Sequence, residues 1–159
     1  MLDRAAAQKL GLTYTSSLVE LAEASEIFVV GIPPLKSSLR HVNRAVFDAL
    51  PLGALFILVS RMAVVDEPAL SDAVNIRKLR AAIDVFSTEP VPPDAPYRFY
   101  PKLLTTPHIT GGAVYCYERC FTDACIDALS VIEGGTLRFD ARPIDLYMGV
   151  DQSGNASKR

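Results

Sequence analysis

Short apolar segments without polar alternation constrain the fold of this chain more than any other feature of its sequence. Two of them, residues 26–32 and 54–59, are rich in β-branched and aromatic side chains, and two more follow at residues 79–85 and 103–106. Runs of this length and character are typical of strands that are buried on both faces of a sheet. The sequence therefore predicts four strands.

Helical segments separate the predicted strands. Asn43 is suited to cap the helix after the first strand, and Asp66 and Glu67 place acidic residues in the first turn of the next helix. The predicted helices cover residues 3–10, 18–24, 43–50, 66–74 and 113–133. Helices that alternate with strands imply βαβ units, so we predict an α/β fold built on a parallel sheet.

The composition excludes several classes of protein. Of the 159 residues, 50% are hydrophobic and 21% are charged, which is typical of a globular chain and not of a disordered one. The net charge of −2 predicts no nucleic-acid partner. The chain has no apolar run of about 18 residues, so we expect no membrane span. Its first residues lack a signal-peptide pattern, which favours a cytoplasmic location.

The three cysteines, Cys116, Cys120 and Cys125, lie on one predicted helix. An odd number of cysteines argues against a disulfide framework. Cys116 and Cys120 are one helical turn apart, but no histidine lies near them in the sequence and their spacing matches no common zinc pattern. We therefore expect ordinary buried thiols and no metal site.

Polar side chains with reactive potential follow three of the predicted strands. Arg61 comes after the second strand, Asp84 closes the third, and Glu89 lies shortly beyond it. His108 follows the fourth strand. Each of them alone has an ordinary explanation: a solvated arginine, a loop-capping aspartate, a structural histidine. Ligands of open α/β sheets bind beyond the carboxyl ends of the strands, so the joint placement favours one shared site.

This set of side chains suits the reduction of a 2-oxo acid. A carboxylate beside a histidine orients the ring and favours its protonated form, which makes the pair a proton donor and acceptor. A guanidinium offers two parallel donors to a substrate carboxylate. A protein has no hydride of its own to transfer, so such chemistry requires a nicotinamide cofactor.

Three motifs resemble those of the D-isomer-specific 2-hydroxyacid dehydrogenases. Residues 58–67, LVSRMAVVDE, resemble the arginine signature of that family, and residues 82–90, AIDVFSTEP, resemble its aspartate-to-glutamate segment. Residues 106–112, TPHITGG, resemble its histidine segment. The order and the gaps also agree, and the resemblance runs from about Asp3 to Gly135. Three linked motifs are far more specific than one.

The resemblance implies a role for each candidate residue. Arg61 would bind and orient the substrate carboxylate and carbonyl, His108 would be the general acid and base, and Glu89 would hold the charged His108. Asp84 would bond the nicotinamide carboxamide. The other positions that would line the cofactor are Pro33, Ser60, Gly111 and Gly112. The implied cofactor is NAD, with NADP as an alternative. The implied substrate is a small 2-oxo or 2-hydroxy acid, and the implied assembly is a homodimer.

Two features depart from the family pattern. Met62 and Ala63 stand where the family commonly has two glycines, and side chains there would crowd the site if the backbone needed positive φ or close approach. None of the nine glycines forms the G-x-G-x-x-G fingerprint that cradles a pyrophosphate. We therefore expect an incomplete Rossmann-type domain over residues 1–137 and an extension over residues 138–159 whose last part is disordered.

The missing fingerprint has a consequence for topology. The matched segments would supply strands 3 to 6 of a doubly wound sheet with the order 3-2-1-4-5-6. Strands 2 and 1 would lie between strands 3 and 4, so the segment 26–32 is expected to be detached or re-paired beside the segment 54–59, with exposed edges. The other three strands are expected to form a small parallel sheet.

Three functional interpretations agree with this family. The chain is an NAD(P)-dependent oxidoreductase, or a truncated remnant without independent catalysis, or a scaffold module that dimerises with a longer relative and supplies half a site. For the isolated chain, the sequence favours the remnant because the phosphate cradle is absent.

Overall fold

The fold is built on one parallel sheet. A computed structural model describes residues 4–77 and 79–138. The strands are β1 (Ile27–Val30), β2 (Leu55–Leu58), β3 (Arg80–Ile83) and β4 (Leu103–Thr105). Their order in the sheet is β1-β2-β3-β4, and every neighbouring pair is parallel. The predicted α/β fold with a Rossmann-type parallel sheet is confirmed.

The first strand lies beside the second along its whole length. Ile27 is opposite Leu55, and Val30 is opposite Leu58. Of the two placements expected for this strand, detached or paired with the next strand in the chain, the structure has the paired one. The predicted small sheet of β2, β3 and β4 is also present.

The chain has five α-helices in the described residues, and local capping explains where three of them begin. They are α1 (Arg4–Lys9), α2 (Leu18–Glu23), α3 (Arg44–Ala49), α4 (Glu67–Asn75) and α5 (Val114–Ile132). The Ser17 side chain accepts a hydrogen bond from the Glu20 amide, 3.2 Å away. Asn43 caps α3 and Asp66 caps α4 in the same way. Such caps satisfy amides that have no partner inside the helix.

One face of the sheet carries the core. Phe56 of β2 is 0% exposed, and its ring packs 5.1 Å from that of Phe47 on α3 and 6.3 Å from that of Phe28 on β1. Side chains of β2 and β3 on the same face join this cluster, as do buried residues of α2, α3 and α4. These three helices therefore cover this face and fix the strands that carry the site.

The opposite face of the sheet is open. Ile27 and Val29 of β1 are 60% and 58% exposed, so the prediction that this strand is buried on both faces is wrong. The reason is tertiary: α2, α3 and α4 all pack on the other face. Helix α5 has no buried residue, and Cys120 and Cys125 on it are exposed. The prediction of buried thiols is therefore wrong as well.

Some predictions fall partly outside the described residues. Apart from Arg138, the extension predicted for residues 138–159 lies beyond them. Within residues 4–77 and 79–138, no helix has both the length and the apolar character needed to cross a membrane.

Candidate active site

A histidine–glutamate pair lies at the carboxyl edge of the sheet. Glu89 is in the loop that follows β3, and His108 follows β4. The Nδ1 atom of His108 is 2.7 Å from Oε2 of Glu89, while Oε1 of Glu89 accepts a hydrogen bond from the Phe86 amide at 2.9 Å. The side chains of His108 and Glu89 are 38% and 36% exposed. With Nδ1 engaged by Glu89, Nε2 is the ring nitrogen left to exchange a proton with a ligand.

The surroundings of Glu89 favour its charged form. Partial desolvation raises the pKa of this carboxyl group, but the hydrogen bonds from His108 and from the Phe86 amide oppose that effect. The charges of His108 and Arg61 act in the same direction as these hydrogen bonds, and the net result is a lowered pKa. Glu89 is therefore an anionic acceptor for His108 at neutral pH.

Asp84, at the end of β3, holds the loop that carries His108. This side chain is 2% exposed. Its Oδ1 accepts from the Thr106 hydroxyl at 2.5 Å and the Ile109 amide at 2.9 Å, and its Oδ2 accepts from the Thr110 amide at 3.1 Å and the Thr110 hydroxyl at 2.5 Å. His108 lies between these donors and has a φ of 56°. Non-glycine residues seldom adopt that left-handed conformation, so it needs such support.

The same hydrogen bonds keep Asp84 ionised. Burial raises the pKa of its carboxyl group, but the hydroxyls of Thr106 and Thr110 and the amides of Ile109 and Thr110 outweigh burial and lower the pKa to about 2. The bond predicted from Asp84 to a nicotinamide carboxamide stays a prediction. In the described residues this carboxylate serves the loop of His108.

Arg61 follows β2 and is exposed. Its guanidinium donates to the Ser60 carbonyl at 2.6 Å, and its charge helps to lower the pKa of Glu89. The residues after it form a short 3₁₀ turn, Met62–Val64. Neither Met62 nor Ala63 has positive φ, and Met62 is buried in the core. The backbone at these positions therefore does not need glycine for its conformation.

The residues predicted to line a cofactor lie near the same edge of the sheet. Within the described part of the chain, the Ser60 hydroxyl is buried and has no hydrogen-bond partner. An orphaned buried hydroxyl fits a position that a ligand satisfies. A Cβ on Gly112 would lie 3.1 Å from the Ile109 carbonyl oxygen, so this glycine allows the close approach of two backbone segments. Pro33 follows β1, and Gly111 precedes Gly112. That these residues line the nicotinamide stays a prediction.

A cavity of about 660 Å³ opens beside the histidine–glutamate pair. Its wall is apolar over most of its area, and polar groups make up the rest. Besides Glu89 and His108, the residues that line it are Phe86, Pro90, Val91, Tyr97, Arg98, Thr105, Thr106 and Pro107. A mostly apolar concavity with a few convergent polar groups is typical of a small-molecule site.

Sequence reasoning missed the side chains that support this site. Thr106 and Thr110 flank His108 and donate to Asp84, but hydroxyl groups in a loop carry no periodic signal. Their positions on both sides of a candidate histidine were the one available sign. The contacts of Glu67 with Ser87 and Tyr97 join segments far apart in the sequence, and no local pattern predicts them.

A parallel sheet with reactive side chains beyond its carboxyl ends defines an α/β domain of the dinucleotide-binding class. Residues 2–110 match the family model described as D-isomer specific 2-hydroxyacid dehydrogenase, NAD binding domain. The chain belongs to this family, as the three motifs predicted. The match also confirms NAD as the cofactor of the domain type to which the chain belongs.

Several relatives and solved structures are similar to the chain. Glyoxylate/hydroxypyruvate reductase B of Citrobacter koseri is 38% identical over 107 residues, which are 64% of this chain and 33% of that protein. Hydroxyphenylpyruvate reductase of Plectranthus scutellarioides is 37% identical over 103 residues, with coverage of 64% and 33%. The chain therefore spans about a third of the length of these two relatives.

The structural similarity extends over more of the chain. The D-mandelate dehydrogenase of Rhodotorula graminis superposes with a TM-score of 0.75 at 25% identity, over 89% of this chain and 41% of that one. A family member of Xanthobacter autotrophicus Py2, solved in complex with NADPH and MES, has a TM-score of 0.69 at 30% identity, with coverage of 79% and 52%. Similarity of this extent agrees with the parallel α/β architecture of the chain.

Proposed function

We propose that this chain carries the proton-transfer and nicotinamide side of an NAD(P)-dependent oxidoreductase that interconverts a D-2-hydroxy acid and its 2-oxo acid. The observation that carries the proposal is the contact of 2.7 Å between His108 and Glu89 at the carboxyl edge of the sheet. A histidine whose Nδ1 is held by an anionic carboxylate is suited to act as a general acid and base through Nε2.

Each candidate residue has one task in this mechanism. The guanidinium of Arg61 binds the substrate carboxylate, which orients the carbonyl carbon. His108 donates its Nε2 proton to the oxo group on reduction and takes the proton back on oxidation. Glu89 orients the ring of His108 and stabilises its positive charge. Asp84 keeps the loop of His108 in place through its four hydrogen bonds.

The remaining predicted residues would hold the cofactor. The orphaned hydroxyl of Ser60 and the segments at Pro33, Gly111 and Gly112 would line the nicotinamide, which supplies or accepts the hydride when it is bound. The glycine fingerprint for the pyrophosphate is absent from this sequence. Cofactor binding is therefore the property that tests the proposal most directly.

The first experiment is a titration of the full 159-residue chain with NADH and, separately, with NADPH, monitored by nicotinamide fluorescence. Turnover is then measured with glyoxylate, hydroxypyruvate and hydroxyphenylpyruvate, which are the acids in the names of the two relatives. His108→Ala and Arg61→Ala are the test variants. His41→Ala is the matched control, because His41 is the other of the two histidines and is exposed.

Saturable NADH binding with turnover that His108→Ala and Arg61→Ala abolish, and that His41→Ala retains, supports the proposal. Equal turnover in His108→Ala and the unmodified chain contradicts the role given to the histidine. A folded chain that binds neither NADH nor NADPH contradicts independent catalysis.

That last result favours the alternative function, a scaffold module without independent catalysis that dimerises with a longer relative. Two observations support this alternative. The phosphate-binding fingerprint is absent, and both the open face of the sheet and α5 expose large apolar side chains, among them Val29 and Phe121. Exposed apolar surface of this kind is typical of protein–protein contacts. Co-purification of the chain with a full-length family member would identify the scaffold.

A further inference from the structure

Glu67, the first residue of α4, has contacts that its place in the helix does not explain. An acidic residue in the first turn is favourable for the helix dipole alone, and that role needs no partner. Here the Glu67 carboxylate accepts a hydrogen bond from the Ser87 hydroxyl at one oxygen and from the Tyr97 hydroxyl at the other. Both donors belong to the loop that follows β3, about 20 and 30 residues further along the chain.

An aromatic cluster strengthens the attachment of this loop to α4. The ring of Tyr97 packs 5.8 Å from the ring of Phe86 and 6.2 Å from the ring of Tyr100. The Tyr100 hydroxyl pairs with that of Ser71 at 2.6 Å. Glu67 and Ser71 are one helical turn apart, so they lie on the same face of α4. Two polar groups of one helix face therefore hold the two tyrosine hydroxyls.

The loop that α4 holds in this way also carries Glu89. Ser87 lies two residues before Glu89 and Tyr97 eight residues after it. The amide of Phe86 donates to Glu89 Oε1, and the ring of Phe86 packs on Tyr97. The contacts with Glu67 thus anchor the loop on both sides of the residue that bonds His108.

We propose that Glu67 is a positioning residue, which fixes the loop from Phe86 to Tyr97 so that Glu89 stays within hydrogen-bonding distance of His108. The catalytic meaning of this contact rests on the function proposed above, but the contact itself does not. The surroundings of Tyr97 agree with it, since burial, then the hydrogen bond to Glu67 and the charge of Glu67, raise the pKa of this phenol and keep its hydroxyl a donor.

Nitrogen-15 NMR of the histidine rings tests the proposal without cofactor or turnover. The full chain has two histidines, so His41 is an internal reference for His108. In the unmodified chain, the neutral ring of His108 should carry its proton on Nδ1, where Glu89 accepts it. In Glu67→Ala, we expect the population to shift toward the Nε2–H tautomer. The pKa of Glu89, followed by carboxyl carbon-13 shifts, should rise toward its ordinary value.

The control variants separate positioning from helix capping and from loss of folding. Glu20→Ala removes a first-turn acid from α2 and should leave the His108 tautomer unchanged. Glu67→Gln keeps one acceptor oxygen and should restore part of the signal. Ser87→Ala combined with Tyr97→Phe removes the donors, leaves α4 intact, and should reproduce the effect of Glu67→Ala.

If Glu67→Ala fails to fold, that double variant decides the question. A folded variant without these hydrogen bonds in which His108 keeps its Nδ1 proton and Glu89 keeps its lowered pKa overturns the proposal. A chain that shows the tautomer shift but no turnover with any 2-oxo acid upholds it and contradicts the proposed function instead.

Discussion

Replacing Asp84 with asparagine should destabilise the chain by about 2 to 3 kcal/mol at neutral pH. The asparagine oxygen can accept from one pair of donors, but its NH₂ group would face the Thr110 amide, which then has no acceptor. A buried amide without a partner costs about 1–3 kcal/mol. The lowered pKa, which the same hydrogen bonds cause, agrees with this range, since lowering from 3.8 to about 2 corresponds to about 2.5 kcal/mol at about 1.4 kcal/mol per unit.

The effect should depend on pH in a defined direction. The pKa of Asp84 is lower in the folded chain than in the unfolded chain, so its contribution is fully present above pH 4 and is lost as the pH falls toward 2. Protonated Asp84 has nearly the shape of asparagine. The difference in the free energy of unfolding between the unmodified chain and Asp84→Asn should therefore be largest near pH 7 and should narrow below pH 4.

Urea unfolding followed by far-ultraviolet circular dichroism, at pH 7, 4, 3 and 2.5, measures this difference. Asp94→Asn is the matched control, because Asp94 is an exposed carboxylate in the neighbouring loop and should change stability by less than about 0.5 kcal/mol. Equal stability of Asp84→Asn and the unmodified chain at pH 7 would refute the hydrogen-bond argument. A difference that stays constant down to pH 2.5 would refute the argument from ionisation.

Three further substitutions test the core, a helix cap and a close approach, each by urea unfolding. Phe56→Ala should lower the free energy of unfolding by about 3–5 kcal/mol because its ring is fully buried. Phe99→Ala, at an exposed position, should lower it little, and equal losses in the two variants would contradict the assigned core. Asn43→Ala should cost about 1 kcal/mol by removing the cap of α3, and Asn43→Ser should restore most of it. Gly112→Ala should lower the free energy of unfolding by about 1 kcal/mol or more, because the new Cβ would contact the Ile109 carbonyl. Gly111→Ala should leave it nearly unchanged, because a Cβ there would have no atom within 4 Å.

Much of the fold and the candidate site could be predicted from the sequence because the signals are local. Apolar runs mark the strands, and β2 differs from its predicted segment by one residue at each end. The side chain of Asn43 caps α3 from the adjacent position, so a short window contains the information. Motifs around Arg61, Glu89 and His108 place these residues after successive strands of one sheet. Family membership follows from the same motifs.

Only the tertiary structure decided which faces are covered and which polar groups meet. The burial of one face of β1 depends on which side α2, α3 and α4 take, and the strand sequence is apolar on both sides. The same holds for the cysteines of α5, whose exposure reflects the absence of packing against that helix within the described residues.

The support of the site is likewise a tertiary property. Asp84 meets the hydroxyls of residues 22 and 26 positions away, and Glu67 meets Ser87 and Tyr97, which are 20 and 30 positions away. From the local sequence, a hydroxyl or carboxylate of this kind has several equally plausible hydrogen-bond partners. The topology of the chain determines which of them lies within reach. The sequence alone determined which residues are able to react. The packing of the strands and loops determined which of them are held in place to do so.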